Sequence, residues 1–354
     1  MTIHFVYSFP PDNSKIMQTY KRSKLLLQKL DFDVSYVGRR DGIDTSHWPG
    51  RAPISITSNV YNALTSLSHT MLYDWRERLT IAGNERDILI GHYNPDDEFA
   101  VWNSSCKDDR FGLRIALVPL SHHMAEFCAR MEAYVPYVDS IFGIMGSYWY
   151  DTWQDSALSH WKEKIIPIDM AIDINKFPLV KRKFNPPGKR KFFYIGWDGA
   201  QKGTHLLSIL FGLSKNHKCV SIGSGKNILN IECRPYAYFS KEYVRNLANE
   251  FDFFITMGVS DANPTTILEA MGWGFPVCCT PQSGYYNMKE INQMSITDMQ
   301  HNVEILNYLQ YAPEEELATQ AYCARKLVEE KYTWERFNNS IVNNIIRISR
   351  NKFI

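Results

Sequence analysis

The sequence lacks the features that would place the chain in a membrane, in a disulfide-rich secreted scaffold or on nucleic acid. No apolar run approaches the roughly 18 residues that a membrane span needs, and the N-terminus begins with a strand pattern rather than a signal peptide. The seven cysteines include no Cys-x2-Cys pair, which favours reduced thiols over zinc ligation. A net charge of +1 gives no reason to expect nucleic acid as a partner. We therefore expect a cytoplasmic protein without a transmembrane segment, and peripheral contact with a membrane stays open.

The Gly-x-Gly-x-x-Gly fingerprint of dinucleotide-binding domains is also absent, although the first half of the chain is typical of an α/β domain. Residues 3–8 predict a short buried strand, and residues 14–30 predict a helix capped by Ser14. Residues 34–37 predict the next strand, and residues 59–82 predict a long helix. With 354 residues, 45% of them hydrophobic and 22% charged, the chain has room for two globular domains.

Histidines follow two of the predicted strands in this half of the chain. Residues 87–92 predict a buried strand that ends at His92, and residues 113–120 predict another that runs into His122 and His123. Ligands of open α/β sheets bind beyond the carboxyl ends of the strands. We expect His122 and His123 to face such a ligand; the alternative is that both residues only precede a helix that starts at Met124.

Three pairs of acidic residues could ligate a metal by their chemistry, but their positions in the predicted structure do not favour a metal site. Asp96 and Asp97, like residues 108–109, lie in polar, irregular stretches with no strand to hold them. Asp31 and Asp33 form an Asp-x-Asp sequence, but at a predicted helix–strand turn. We therefore interpret all three pairs as solvated surface acids and expect no metal site.

The most informative stretch is residues 251–280. Its apolar start, residues 251–257, predicts a buried strand, and residues 276–280 predict a second one. Between them, Pro264 suits the first position of a helix and Asn263 suits its N-cap, so that Thr265 lies in the first turn. A helix that starts after a strand end presents free backbone N–H groups to an anion.

Two carboxylates surround this helix start. Asp261 lies in the loop and Glu269 in the helix, and the helix continues as Ala-Met-Gly-Trp-Gly-Phe-Pro-Val. The pattern resembles the Glu-x7-Glu element of the retaining glycosyltransferases of family 4, which have the two-domain GT-B fold. Asp261 replaces the first Glu of that element, and residues 262–264 replace its glycine-rich turn. The resemblance implies that Asp261 acts on the sugar in the catalytic site, with His122 or His123, and that Glu269 binds ribose hydroxyls.

A second motif follows the predicted strand that ends at Gly196. This turn resembles the family's Gly-Arg-x4-Lys-Gly, in which the two cations neutralise the donor diphosphate. Lys202 keeps the lysine, whereas Trp197 stands where the arginine would be, and an indole does not replace a guanidinium on phosphate. The resemblance implies that Lys202 binds the diphosphate alone or with Arg234. It also implies that Gly196, Gly223 and the backbone around Arg234 contact the donor.

The resemblance covers about residues 165–340, and the first half of the chain only by the order of its strands. Near its end, Tyr332-Thr-Trp-Glu matches the start of a last helix that crosses back to the first domain. The predicted fold is therefore α/β of the GT-B type, with two Rossmann-like, doubly wound domains that face a cleft. Residues 1–170 form the acceptor-side domain, completed by a helix at about 335–354. Residues 171–334 form the domain that binds the nucleotide sugar.

We therefore expect a glycosyltransferase that moves a sugar, with retention, from a nucleotide-sugar donor to a hydroxyl of a carbohydrate or glycoconjugate. We expect no cofactor besides the donor, because Lys202 and the helix end supply positive potential. Two alternatives stay open: a nucleotide-sugar epimerase or hydrolase of the same fold, and a non-catalytic two-domain binder. The aromatic residues 148–150 either stack on an acceptor sugar or pack between the domains.

Overall fold

The structure is a computed structural model that describes residues 1–9, 52–223, 227–235, 237 and 239–353, and the side chains of these residues except 52–54 and 353. The helix predicted at 14–30, the strand predicted at 34–37, and Asp31 and Asp33 lie outside the described residues.

The first half of the described chain forms a six-stranded parallel sheet in the order β2-β1-β3-β4-β5-β6. The strands are β1 (Ile3–Tyr7), β2 (Thr70–Asp74), β3 (Ile88–Gly91), β4 (Leu113–Pro119), β5 (Ser140–Ile144) and β6 (Ile165–Ile168). The helices are α1 (Ala52–Leu67), α2 (Val101–Ser105), α3 (Ala125–Met131) and α4 (Ser147–Asp151), with short 3-10 segments at Glu132–Tyr137, Thr152–Asp155, Ser159–Lys164 and Ile174–Lys176.

The second half forms another six-stranded parallel sheet, in the order β12-β11-β10-β7-β8-β9. The strands are β7 (Lys191–Ile195), β8 (Lys218–Ile222), β9 (Glu232–Arg234), β10 (Phe253–Thr256), β11 (Val277–Cys279) and β12 (Ile291–Gln293). The helices are α5 (Thr204–Leu213), α6 (Lys241–Glu250), α7 (Thr265–Trp273), α8 (Met299–Tyr311), α9 (Glu314–Lys331) and α10 (Trp334–Phe353), with 3-10 turns at Ala200–Lys202 and Pro281–Ser283.

Helices cover both sheets, so the central strands are buried along their whole length. Every residue of β1, β5 and β10 is buried, and strands buried on both faces are continuous apolar runs in the sequence. This is why apolar runs predict these strands correctly. Among the described residues, none of the helices combines the length and the apolar character that a bilayer crossing would need.

The last helix confirms the predicted return to the first domain. Helix α10 follows the second sheet in sequence but packs against α1 and β6 of the first. The crossing begins at a bridge in which Ile172 pairs with Thr333. Ile341 and Ile345, on the buried face of α10, belong to the same apolar core as Val60 of α1.

The helix predicted over residues 59–82 is correct as far as Leu67 and wrong beyond it. Helix α1 ends at Leu67, and residues 70–74 form β2, which pairs in parallel with β1 along its whole length. Trp75 then donates its backbone N–H to Tyr7 and buries its indole. The reason is tertiary, because the edge of β1 offers hydrogen bonds to residues 70–74. The local sequence pattern contains no information about such a distant partner.

A buried ion pair anchors the segment that links the two sheets to the second sheet. Lys181 donates to the carboxylate of Asp252 and to the carbonyl of Ala248, each at 2.9 Å, and the two charged side chains are 1% and 0% exposed. Asp252 also accepts from the backbone N–H groups of Asn185 at 2.8 Å and Lys191 at 3.0 Å. Burial lowers the pKa of Lys181, and the charge of Asp252 opposes that shift.

Replacing one partner of this pair should destabilise the fold strongly. Lys181→Met leaves Asp252 charged and buried, which costs about 3–5 kcal/mol. Adding Asp252→Asn to that variant should recover part of the loss, because no uncompensated charge then remains. Equilibrium unfolding in urea measures the free energy of unfolding of each variant, with exposed Lys215→Met as the control. A Lys181→Met variant as stable as the control would contradict the assignment.

Candidate active site

The second sheet has a topological switch point between β7 and β10. From β7 the chain proceeds outward to β8 and β9, and then returns to β10 on the other side of β7. The loops that leave β7 and β10 therefore diverge at the carboxyl edge of the sheet. Open α/β sheets bind ligands in the crevice formed at such a point.

The two loops are joined by their backbones. The N–H groups of Val259 and Ser260 both donate to the carbonyl of Gln201, at 3.0 and 3.3 Å. Gly203 has a φ of +65°, and a Cβ at this position would overlap with the carbonyl oxygen of Met257. Only glycine tolerates both the left-handed conformation and this close approach.

Lys202 and Asp261 meet at this junction. The ammonium group of Lys202 donates to the carboxylate of Asp261, and both side chains are partly buried. Lys202 comes from the β7 loop and Asp261 from the β10 loop, so the pair spans the switch point. The structure thus brings together two residues that the sequence motifs single out separately.

A cavity of about 520 Å³ opens beside this pair, between the carboxyl edges of the two sheets. Its volume is in the range of small-molecule sites. The second half of the chain contributes Lys202, Asp261, Ala262, Asn263, Pro264, Thr265 and Thr266. The first half contributes a mainly apolar wall, formed by Phe5, Val6, Tyr7, Ser8, Phe9, Ile56, Thr57, Val60, His92, Leu117, Pro119, Met124, Phe127, Ile144 and Met170.

Helix α7 starts at the wall of this cavity, one residue later than its sequence predicts. Pro264 has an extended ψ of 124° and is the N-cap residue, and no side chain caps the helix. The predicted N-cap role of Asn263 is therefore wrong. Thr265 and Thr266, which line the cavity, form the first turn, where backbone N–H groups have no partner within the helix.

Asn263 itself lines the cavity with its amide unpaired. The residue is 9% exposed, and within the described part of the chain neither Nδ2 nor Oδ1 has a hydrogen-bond partner. Among the predicted site residues, Lys202, Asp261, Asn263 and Thr265 are therefore the four that reach the cavity.

Neither of the two histidines singled out by the sequence is among the described residues that line the cavity. His122 donates through Nε2 to the hydroxyl of Thr152 at 2.8 Å, because that hydroxyl itself donates to the carbonyl of Tyr148. His123 donates through Nδ1 to the carbonyl of Val259 at 3.1 Å. His123 thus holds the β10 loop against the first sheet.

His92 is the described histidine that does line the cavity. It follows β3, and its Nδ1 donates to the carbonyl of Tyr93 at 2.7 Å. Its position after a buried strand is visible in the sequence, but the sequence alone does not show which of the strand-end histidines faces inward.

The aromatic residues 148–150 belong to the contact between the two halves. Trp149 is fully buried and donates through Nε1 to the carbonyl of Asp261 at 2.9 Å. Tyr148 accepts through its hydroxyl from Gln282 at 3.0 Å. Domain-interface packing, the second of the two interpretations of this stretch, is therefore the correct one for these two residues.

The remaining predicted site residues lie away from the described cavity wall. Glu269 is 1% exposed within α7. Arg234 binds Glu250 with two nitrogens, at 2.7 and 2.8 Å, and Glu232 with a third at 2.7 Å. Gly196 and Gly223 follow β7 and β8 and have positive φ angles of 156° and 92°.

Trp197, at the position of the missing arginine, is 47% exposed at the end of β7. Tyr194 donates its hydroxyl to the carbonyl of Trp197 at 3.0 Å. A Cβ on Gly199 would overlap with the indole. The side chain is thus an exposed aromatic surface that rests on a glycine.

Three acids of the predicted surface pairs bind arginines. Asp96 pairs with Arg130 at 2.8 Å and Asp97 with Arg78 at 2.6 Å. Asp108 pairs with Arg110 at 2.7 Å, which holds the pKa of that carboxyl well below its usual range. Within the described part of the chain, no three His, Cys, Asp or Glu side chains form a group that could hold a metal ion.

Comparison with known proteins identifies the fold. No protein-family model matches the sequence, and no curated protein matches it either. Solved structures do match. HepE from Anabaena, in complex with UDP and glucose, superposes with a TM-score of 0.56 at 11% identity, over 98% of this chain and 100% of that one.

Two further structures give similar values. The UDP-forming α,α-trehalose-phosphate synthase of Burkholderia xenovorans has a TM-score of 0.55 at 10% identity, over 77% of this chain and 75% of that one. TarM has a TM-score of 0.55 at 14% identity over 83% of this chain, which spans only 58% of TarM. The chain has the GT-B fold, as the family resemblance predicts.

The burial of His122 predicts a pH dependence of stability. Burial, together with the neighbouring His123, lowers the pKa of His122 to about 4, from the ordinary value of 6.5. Between these two values the unfolded chain binds a proton that the folded protein does not, so stability should fall as the pH is lowered from 6.5 to 4. His122→Gln should lose part of this dependence.

Thermal unfolding of wild type, His122→Gln and the exposed-histidine control His160→Gln between pH 4 and 7 measures the effect. Burial also lowers the pKa of His4, which makes stability fall at low pH in the same way. The contribution of His122 is therefore the difference between wild type and His122→Gln. Unfolding temperatures that change equally with pH in wild type and His122→Gln would contradict the lowered pKa of His122.

Proposed function

We propose that this protein is a nucleotide-sugar-dependent glycosyltransferase that transfers a sugar to an acceptor hydroxyl with retention of configuration. The observation that carries the proposal is the cavity between the two sheets, where Lys202, Asp261 and the start of α7 converge. A cation and a free helix N-terminus suit a diphosphate, and a carboxylate beside them suits the hydroxyls of a sugar. The fold match to HepE, a structure that contains UDP and glucose, supports the same function.

In this proposal the diphosphate of the donor binds Lys202 and the backbone N–H groups at the start of α7. Negative charge accumulates on the leaving diphosphate as the glycosidic bond breaks, and donors that are already in position stabilise it without reorganisation. Lys202 donates to the carboxylate of Asp261. Binding therefore changes the partners of Lys202 and leaves Asp261 available to the sugar.

The residues around the cavity have the following roles in the proposal. Asp261 binds the transferred sugar, and His92 faces the reacting groups from the first sheet. Glu269 is buried in α7 away from this cavity wall, and its role in binding the ribose is assigned from the family resemblance. His123 acts indirectly, by holding the carbonyl of Val259 and with it the loop that carries Asp261. His122 supports His123 by packing edge-on against its ring, and is itself held by the hydroxyl of Thr152.

The acceptor enters from the side of the first sheet, where the cavity wall is mainly apolar. A transferase forms product only when an acceptor hydroxyl is present, which distinguishes it from an epimerase or hydrolase. Turnover of a nucleotide sugar distinguishes all three enzymes from a binding protein. The anomeric configuration of the product, read by NMR, tests retention.

The role of Lys202 predicts a selective loss of affinity. Lys202→Ala should weaken binding of a nucleoside diphosphate by about one to two decades, because a charge-assisted hydrogen bond is worth roughly 1.5–3 kcal/mol. Binding of the uncharged nucleoside should change little. Calorimetric titration with UDP or GDP and with uridine or guanosine measures both affinities.

Two further variants sharpen this test. Lys215→Ala removes an exposed lysine of the same half of the chain and should leave both affinities unchanged. Trp197→Arg in the Lys202→Ala background should restore part of the diphosphate affinity, because it returns a guanidinium to the strand end. Equal diphosphate affinity for wild type and Lys202→Ala would place the phosphates elsewhere.

The proposal also predicts that transfer does not depend on a metal ion. Lys202 and the start of α7 supply the positive potential that a divalent cation would otherwise bring. Excess EDTA should therefore leave most of the transfer activity intact in an assay with donor and acceptor sugars. Complete loss, reversed by Mg²⁺ or Mn²⁺, would contradict this prediction.

A further inference from the structure

Asn263 carries two polar atoms that no described residue of the protein satisfies. The side chain is 9% exposed and lines the cavity, yet neither Nδ2 nor Oδ1 has a hydrogen-bond partner among the described residues. Native proteins leave few buried polar groups unpaired, because each one loses its bonds to water and gains nothing in return. An asparagine amide with both ends unpaired among the described residues therefore takes its partners from outside the fold.

The rest of the chain shows how a buried asparagine is normally accommodated. Asn302 is fully buried, and its Oδ1 accepts from the backbone N–H of Ser295 at 2.7 Å while its Nδ2 donates to the carbonyl of Ser295 at 2.7 Å. Asn302 therefore satisfies both ends of its amide within the fold. Asn263 differs from it in facing a cavity, where water or a bound ligand can supply its partners.

The chemistry of the amide restricts what that ligand can be. Nδ2 only donates and Oδ1 only accepts, so a group that satisfies both must itself donate and accept. A phosphate oxygen accepts only, and a cation would satisfy only Oδ1. A sugar hydroxyl does both with one oxygen. Asn263 is also uncharged, whereas the charged groups of the site, Lys202 and Asp261, lie beside it.

The position of Asn263 agrees with a sugar hydroxyl. The residue lies between Asp261 and the start of α7 at Thr265, and all three line the cavity. In a nucleotide sugar the transferred ring is attached directly to the diphosphate. A side chain next to the helix start that faces the phosphates therefore meets the ring.

We propose that Asn263 is a specificity-determining residue whose amide binds a hydroxyl of the transferred sugar, donating through Nδ2 and accepting through Oδ1. This inference rests on the proposed glycosyltransferase function and assigns one part of the donor to one side chain. A nucleobase edge also combines a donor with an acceptor, and the experiment below separates the two cases.

The test compares Asn263→Ala with Asn302→Ala, a matched change at an asparagine that the fold satisfies. Without ligand, Asn263→Ala should unfold at the wild-type temperature or above, because it removes an unsatisfied amide. Asn302→Ala should unfold lower by about 5 °C, because it leaves the backbone of Ser295 unpaired. Asn263→Leu, which fills the same space with apolar atoms, serves as a second variant.

Calorimetric titration then measures which part of the donor loses affinity when Asn263 is replaced. The probes are UDP and GDP together with UDP-glucose, UDP-N-acetylglucosamine and GDP-mannose. Asn263→Ala should bind the diphosphates as wild type does, and should bind the preferred sugar nucleotide about tenfold more weakly, the loss expected from two neutral hydrogen bonds. Asn302→Ala, measured well below its unfolding temperature, should bind both as wild type does.

Three results would overturn the assignment. An equal loss for the diphosphate and the sugar nucleotide would place the base or the phosphates at Asn263, and no loss for either would leave the amide without a ligand role. A drop in unfolding temperature as large as that of Asn302→Ala would show that the fold satisfies Asn263. Failure of the proposed function is recognised separately, because wild type would then bind none of the five probes, and the assignment would fail with it.

Discussion

The site depends on one backbone contact, the approach of the β7 loop to the β10 loop at the switch point of the second sheet. Gln201 accepts two N–H groups from the β10 loop, and Gly203 lies so close to Met257 that no side chain fits between them. These contacts place Lys202 against Asp261. The charge pair is therefore a consequence of backbone geometry, and it holds a cation beside the cavity.

A second set of contacts holds this junction against the first sheet. The N–H of Gly146 donates to the carbonyl of Ala262 at 2.9 Å, and a Cβ on Gly146 would overlap with the carbonyl of Gly284. Trp149 adds a bond to the carbonyl of Asp261. The carbonyls of the β10 loop thus face the first sheet, while the side chain of Asp261 remains directed to Lys202 and the cavity.

The sequence predicts the second half of the chain better than the first, for physical reasons. Buried parallel strands are continuous apolar runs, and the β10–α7–β11 unit is bounded by glycine and proline, so local pattern suffices there. Strand β2 depends on pairing with β1, and a helical pattern that extends to Ala82 hides it. The choice between His92 and His122 depends on which side of a strand end faces the cavity, and side-chain direction in a loop has no periodic signal in the sequence.

The cost of a ready-made ligand site is visible in the contrast between two asparagines. Asn302 contributes to stability because its amide is satisfied by Ser295, whereas Asn263 holds an unsatisfied amide in the cavity wall. Buried polar groups without partners lower stability, so a chain selected for stability alone would place an apolar residue at position 263. The unpaired amide lies beside a cation and an uncapped helix start, where a bound nucleotide sugar would supply the missing partners. The unpaired amide of Asn263 therefore both lowers stability locally and offers hydrogen-bonding groups to a ligand.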